Sequence, residues 1–379
     1  MKLQQLVLKD SNNFRQQLEP LAALAPNLVI VFGAPAFFAP GGDAGKFGEV
    51  FPGAAMIGCS TAGEVSAAGV QDDRCVVTAV RFERARILAG STDLAGMADS
   101  RAAGGRLARE IAAADLRAVL VFGQGVNING SALVEGMNEV LGTSIPITGG
   151  LAGDNGAFAQ TWTLGREGAS DRAIVAVGLA GEGLQVGHGS FGGWETFGPA
   201  RKVTRCENNV LYQLDGEPAL EVYKRYLGEY ARDLPSSGLL FPFAMVGDGD
   251  EVGLIRTILG IDEKLGSLTL AGEILQDGYL KLMHASTDAL VDGAEAAARA
   301  VQAMGRLPAP ALAILVSCVG RKLVMGDRVD EEIEAVAAVL GKDAVCAGFY
   351  SYGEISPFAP GMSCKLHNQT MTITTLAEV

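Results

Sequence analysis

The stretch Asn27-Leu-Val-Ile-Val-Phe-Gly33 returns as Arg117-Ala-Val-Leu-Val-Phe-Gly123. Each is a short β-branched run closed by glycine, the pattern of a strand buried on both faces. Downstream of the first lies Gly58-Cys-Ser-Thr-Ala-Gly-Glu64, and downstream of the second Gly149-Gly-Leu-Ala-Gly-Asp154. Gly33 to Gly63 and Gly123 to Gly153 are both 30 positions, so one building unit recurs. A further copy stands near the C-terminus, where Ala311-Leu-Ala-Ile-Leu-Val316 precedes Gly348-Phe-Tyr-Ser-Tyr-Gly-Glu-Ile355. That octet aligns without a gap on Gly58 to Val65, and Leu268-Thr-Leu-Ala-Gly-Glu-Ile274 is a fainter echo. The expectation is four Gly-acid corners, two in each half.

Amphipathic helices fall between strand and corner. Leu133, Met137, Val140 and Leu141 form one helical stripe, with Asn129 or Ser131 as its cap; Ile333, Val336, Ala337 and Leu340 form another. Alternation of strand and helix predicts an α/β fold: two domains built from repeated strand–helix–strand units around mixed β-sheets. The turn dipeptide Asp215-Gly216, followed by Pro218 at a first helical turn, sets the boundary. The domains are then 1–216 and 217–379, the second opening with a helix from Pro218 to Tyr230.

Composition removes several function classes. Apolar residues make up 49% and charged residues 19%, which suits a folded chain. A net charge of −13 repels phosphates, so neither nucleic acid nor an anionic membrane is an expected partner. The N-terminus has no continuous apolar segment of the export type, and a cytoplasmic location is expected. Six cysteines without a C-x-x-C pair read as small buried thiols.

The chemistry on offer is that of binding. At a Gly-acid corner the glycine permits close backbone approach, and the carboxylate can accept from a ligand amine or from local backbone. The ligand-binding candidates are therefore Gly63, Glu64, Gly153, Asp154, Gly353 and Glu354, with Asn368 beside the last corner. The bland alternative is that each acid caps its own turn. Gly123-Gln-Gly-Val-Asn-Ile-Asn-Gly130 sits where phosphate loops sit but lacks their Lys-Ser/Thr, and reads as a plain strand–helix turn. Cys59 and Ser60 lie in no nucleophile-elbow frame, so no enzyme is expected. Of three histidines, His188 stands among glycines and near Trp194, where an imidazole can approach a flat cofactor. Arg201, Lys202 and Arg205 follow and could meet cofactor carboxylates. His284 reads as structural, whereas His367 leads a strand that could face the Gly353-Glu354 corner.

Taken together, the Gly58–Glu64, Gly149–Asp154, Phe197–Thr204, Leu214–Leu220, Gly348–Glu354 and Leu366–Thr370 stretches resemble the FIST family, a FIST N domain followed by a FIST C domain. The resemblance implies a bacterial sensory module. One branch of that family binds haem, senses nitric oxide and regulates a partner histidine kinase, and the Leu-His-Asn-Gln-Thr ending looks like that branch. It implies haem as cofactor, His188 as iron ligand with His367 second, and Trp194 and Arg205 as further contacts. Relatives usually carry a Pro between the His-Gly pair and the following Gly-Pro; the run here has none. The alternative is a metal-free sensor of an amino-acid-like metabolite.

Overall fold

Three parallel strand pairs form the frame: Leu28–Gly33 with Ala55–Ser60, Leu116–Gly123 with Ile147–Leu151, and Ala311–Cys318 with Ala344–Ser351. The computed structural model describes residues 1–379 apart from 11, 248–251, 306–307 and 358–360. Parallel strands need a crossover. The second pair is joined through the helix Gly130–Leu141, and the third through Val319–Met325 and Asp330–Leu340. Asn129 caps the first of these, its Oδ1 accepting from Ala132 N at 3.0 Å, as its side chain predicts.

Each first strand also carries an antiparallel neighbour: Cys75–Arg81, Ala173–Ala180 and Met371–Glu378 in turn. A second repeated feature is a glycine in the second strand. An ideal Cβ at Gly58, Gly149 or Gly348 would stand 2.0, 2.0 and 1.9 Å from the carbonyl oxygen of Val31, Val121 and Leu315. Only glycine lets these backbones approach so closely.

The units are closed by exchange of hairpins. Glu64–Ser66 with Gly69–Gln71, from the first unit, extends the third unit's sheet, and Thr163–Gly165 with Gly168–Ser170 extends the first unit's. Gly353–Pro357 with Cys364–His367 extends the second unit's. Three six-stranded sheets thereby form a ring. Their inner faces meet at Phe32, Phe122 and Phe349, whose ring centroids lie 4.8–5.6 Å apart.

Between Leu184–Phe191 and the helix Thr287–Ala303 the chain builds a separate eight-stranded antiparallel sheet, running from Glu195–Glu207 to Tyr279–His284. Asp215-Gly216 lies inside it, at the turn between Val210–Leu214 and Glu217–Pro218. The helix that follows is Ala219–Leu227, continued by a 3₁₀ segment at Gly228–Asp233. The fold is mixed α/β, as expected. The count of corners is corrected: three follow the second strand of a parallel pair, whereas Gly272-Glu273 follows a strand of the eight-stranded sheet. Among the described residues no helix is long and apolar enough to cross a membrane.

Candidate ligand-binding cleft

The three corners do converge. Ala62 N donates to Tyr350 O at 2.9 Å, Tyr350 N to Gly63 O at 2.9 Å, and Gly153 N to Ser60 O at 2.9 Å. Their acids, however, turn inward. Glu64 is buried, its Oε1 accepting from Thr61 Oγ1 and its Oε2 from Arg74 N at 2.9 Å. Glu354 is buried with Ser351 Oγ at 2.7 Å, Thr370 Oγ1 at 2.9 Å and Thr370 N at 3.1 Å. Burial pushes both carboxyls up to about 7, against the pull of those hydrogen bonds. Asp154 accepts from three consecutive amides, Phe158, Ala159 and Gln160, at 2.8–2.9 Å, and from the Tyr352 hydroxyl. Carboxylates engaged in this way cap local backbone, the bland reading of the corner. Gly63, Gly153 and Gly353 sit within the same packed junction, where a Cβ on Gly153 would lie 2.6 Å from Ala62 N. Asn368 is buried, its Oδ1 without a hydrogen-bond partner.

Open space lies one loop away, at the carboxyl end of Leu116–Gly123. Chain ends of parallel strands are where α/β proteins leave crevices. The loop Gln124–Asn129 is locked from below: Gln124 Nε2 donates to Ala173 O at 2.9 Å, while Thr161 Oγ1 donates to Gln124 Oε1 at 3.0 Å and accepts from Gly125 N at 2.9 Å. Across from it stands the eight-stranded sheet, with Asn209, Leu259 and Thr269–Gly272. A cavity of about 210 Å³ lies between them, completed by Phe158. Met97, Val126 and Asn127 also line a second cavity of about 560 Å³, which reaches Gln124, Gln160, Thr161, Asp171 and Arg172. Asn129 Nδ2 ties the walls together by donating to Glu273 Oε1 at 3.0 Å. Behind Gly272 is Arg256, 3% exposed, donating to Glu273 O, Ile255 O and Leu366 O at 3.0–3.3 Å. Burial pulls its guanidinium down to about 10.

The residues expected around a haem are not gathered together. His188 lines a different cavity of about 590 Å³, with Leu116, Arg117, Ile145, Pro146 and Met304. Its backbone N–H donates to Met304 Sδ at 3.3 Å, and burial lowers its ring pKa. Trp194 is buried elsewhere, Nε1 donating to Gln369 O at 2.8 Å, and Arg205 lies over the Tyr212 ring at 4.6 Å. His367 is buried with Nε2 3.0 Å from Ser356 O, its pKa lowered to about 4 by desolvation. None of these three lines the His188 cavity. Among the described residues no group of three or more His, Cys, Asp or Glu side chains is placed to hold a metal ion.

Sequence reasoning passed over Phe158, Tyr352, Asn209 and Arg256 as site residues. Asp154 was the available signal: an acid followed by a glycine-containing loop can gather that loop's amides.

Comparison with known proteins matches residues 27–217 to the FIST N domain and residues 219–357 to the FIST C domain. An uncharacterized protein, MJ1623, of Methanocaldococcus jannaschii is 34% identical over 100 residues, 25% of this chain. The match spans 19% of that relative's length. Among solved structures, a cyanuric acid hydrolase from A. caulinodans superposes with a TM-score of 0.41 at 9% identity, covering 100% of this chain and 98% of that one.

Proposed function

The chain belongs to the FIST family, whose domains are sensors in signal transduction, and from that premise we propose that it senses a small polar metabolite held in the cleft beside Gln124–Asn129. The observation that carries this reading is the pair of cavities meeting at Asn127, the smaller walled on one side by the ring of three units and on the other by the eight-stranded sheet, the larger opening beside it within the ring. A ligand bridging two bodies stabilises the arrangement in which both walls touch it, and the surfaces of those bodies shift with it. A partner such as a histidine kinase would read that shift. Asp171 and Arg172 offer opposite charges in the larger cavity, which suits an amino-acid-like head group.

A haem at His188 is the second reading. Its support is that an imidazole, a thioether and Arg117 line one hollow, a donor set suited to axial ligation and propionate pairing. One set of measurements separates the two readings. A metabolite held in the cleft raises the melting temperature by mass action, worth about 2.7 kcal/mol at a hundredfold excess over Kd, and Asn127→Ala weakens the rise. If no amino acid or related metabolite moves the melting temperature, the cleft reading fails. Protein from haem-replete cells showing a Soret band that His188→Ala abolishes establishes the second reading; protein that stays colourless with added haem removes it.

A further inference from the structure

We infer that the ligand of this cleft carries a planar ring, and that Phe158 is the platform on which the ring stacks. The inference rests on the cleft reading and adds the chemical class of the ligand. Phe158 is parallel to Tyr352, with an interplanar angle of 16° and centroids 4.1 Å apart. One face of the phenyl ring is thus covered, yet the residue remains 37% exposed and lines the smaller cavity. Its φ is +51°, a left-handed conformation that bulky residues avoid. Such a departure persists only where the surroundings enforce it. Here they do: Asp154 holds the amides of Phe158, Ala159 and Gln160, and the Tyr352 hydroxyl binds Asp154 while accepting from Gly156 N at 2.9 Å.

A backbone constrained in this way, ending in an exposed aromatic surface, presents a rigid face to whatever enters. A second aromatic or heteroaromatic ring extends the Tyr352–Phe158 stack by offset packing. Asn127 and the amide oxygen of Asn209, whose Nδ2 donates to Leu270 O at 2.8 Å, line the same cavity and supply polar groups for atoms at the ring's edge. The adjoining Asp171 and Arg172 receive a charged head. The class is a small ring-bearing molecule, such as an aromatic amino acid or a nucleobase derivative without phosphate.

The test is calorimetric titration of the full chain with tryptophan, tyrosine and adenine as ring probes and leucine, glutamine and glutamate as ring-free ones. Wild-type protein is expected to bind a ring probe in preference to every ring-free one. Phe158→Leu, apolar but without a π face, is expected to bind that probe about 5- to 100-fold more weakly. Equal affinity in the variant overturns the inference. Preference for a ring-free probe also overturns it while leaving the cleft reading standing, and silence toward all six probes overturns both. Should the leucine variant fail to fold, Phe158→Trp decides the matter: the introduced indole's fluorescence is expected to respond to ring probes, and an unresponsive indole counts as refutation.

Discussion

At the scale of single residues, the corner carboxyls report on how much a fold tolerates. Glu354 has three donors on its two oxygens, yet desolvation outweighs them and its pKa stands near 7. An acid whose pKa is raised on folding binds more protons in the native state than in the unfolded one. Its contribution to stability is therefore greatest below 4.5 and declines as pH rises to about 7. His367, with its pKa lowered to about 4, acts in the opposite direction over an overlapping range, so wild-type stability alone does not isolate the effect. The difference between Glu354→Gln and wild type does. Urea denaturation should show the variant gaining relative to wild type between pH 4.5 and 7, by at most about 3 kcal/mol. A difference that stays level across that range contradicts the assigned shift.

The elements explain what could be read in advance. Gly58, Gly149 and Gly348 occupy one place in three copies of one strand pair, and the unit is legible in the sequence from the repeated strand phrase and the equal step from Gly33 to Gly63 and from Gly123 to Gly153. The stripes Leu133–Leu141 and Ile333–Leu340 became helices because buried helical faces leave periodic traces. Hairpin exchange left none. The short hairpin strands are buried or half-buried by neighbours from another unit, and no local pattern says which unit that is. The cleft was hidden for the same reason, since Phe158 and Asn209 come together only through tertiary closure. If the three glycines are contact points, Gly58→Ala and Gly348→Ala should each cost about 3 kcal/mol, the upper end for forced overpacking. Gly45→Ala, with nothing within 4 Å of the new methyl, should stay within about 0.5 kcal/mol. Chemical denaturation ranks them; equal losses at all three positions would refute close approach as the reason for glycine.

For the whole molecule, the question is how filling a cleft reaches a distant surface. Two bodies meet along a buried polar seam. Arg256 and Glu273 belong to the eight-stranded body; Leu366 and Asn129 belong to the ring. Gln369 Nε2 adds a further tie, to Leu239 O at 2.9 Å. Such a seam is held by directional bonds as well as packing, and bonds of this kind can be exchanged between two discrete arrangements. Arg256 stands at its centre, in contact with Gly272 of the cleft wall and with the Cys364–His367 strand. Arg256→Met keeps an apolar stem and releases a desolvated charge, but strips the donors from Glu273 O and Leu366 O. Carbonyls left unpaired cost about 1–3 kcal/mol each, so a net loss of about 1–3 kcal/mol is expected after the relief of burying the charge. That loss should be local. Hydrogen exchange is expected to rise at Val252–Arg256 and Cys364–His367 while Leu28–Gly33 and Leu116–Gly123 keep their protection. The same variant should bind ligand with a smaller change in exchange across the seam. Uniform loosening of all four strands would mean that the two bodies unfold as one unit, and that Arg256 does not couple them.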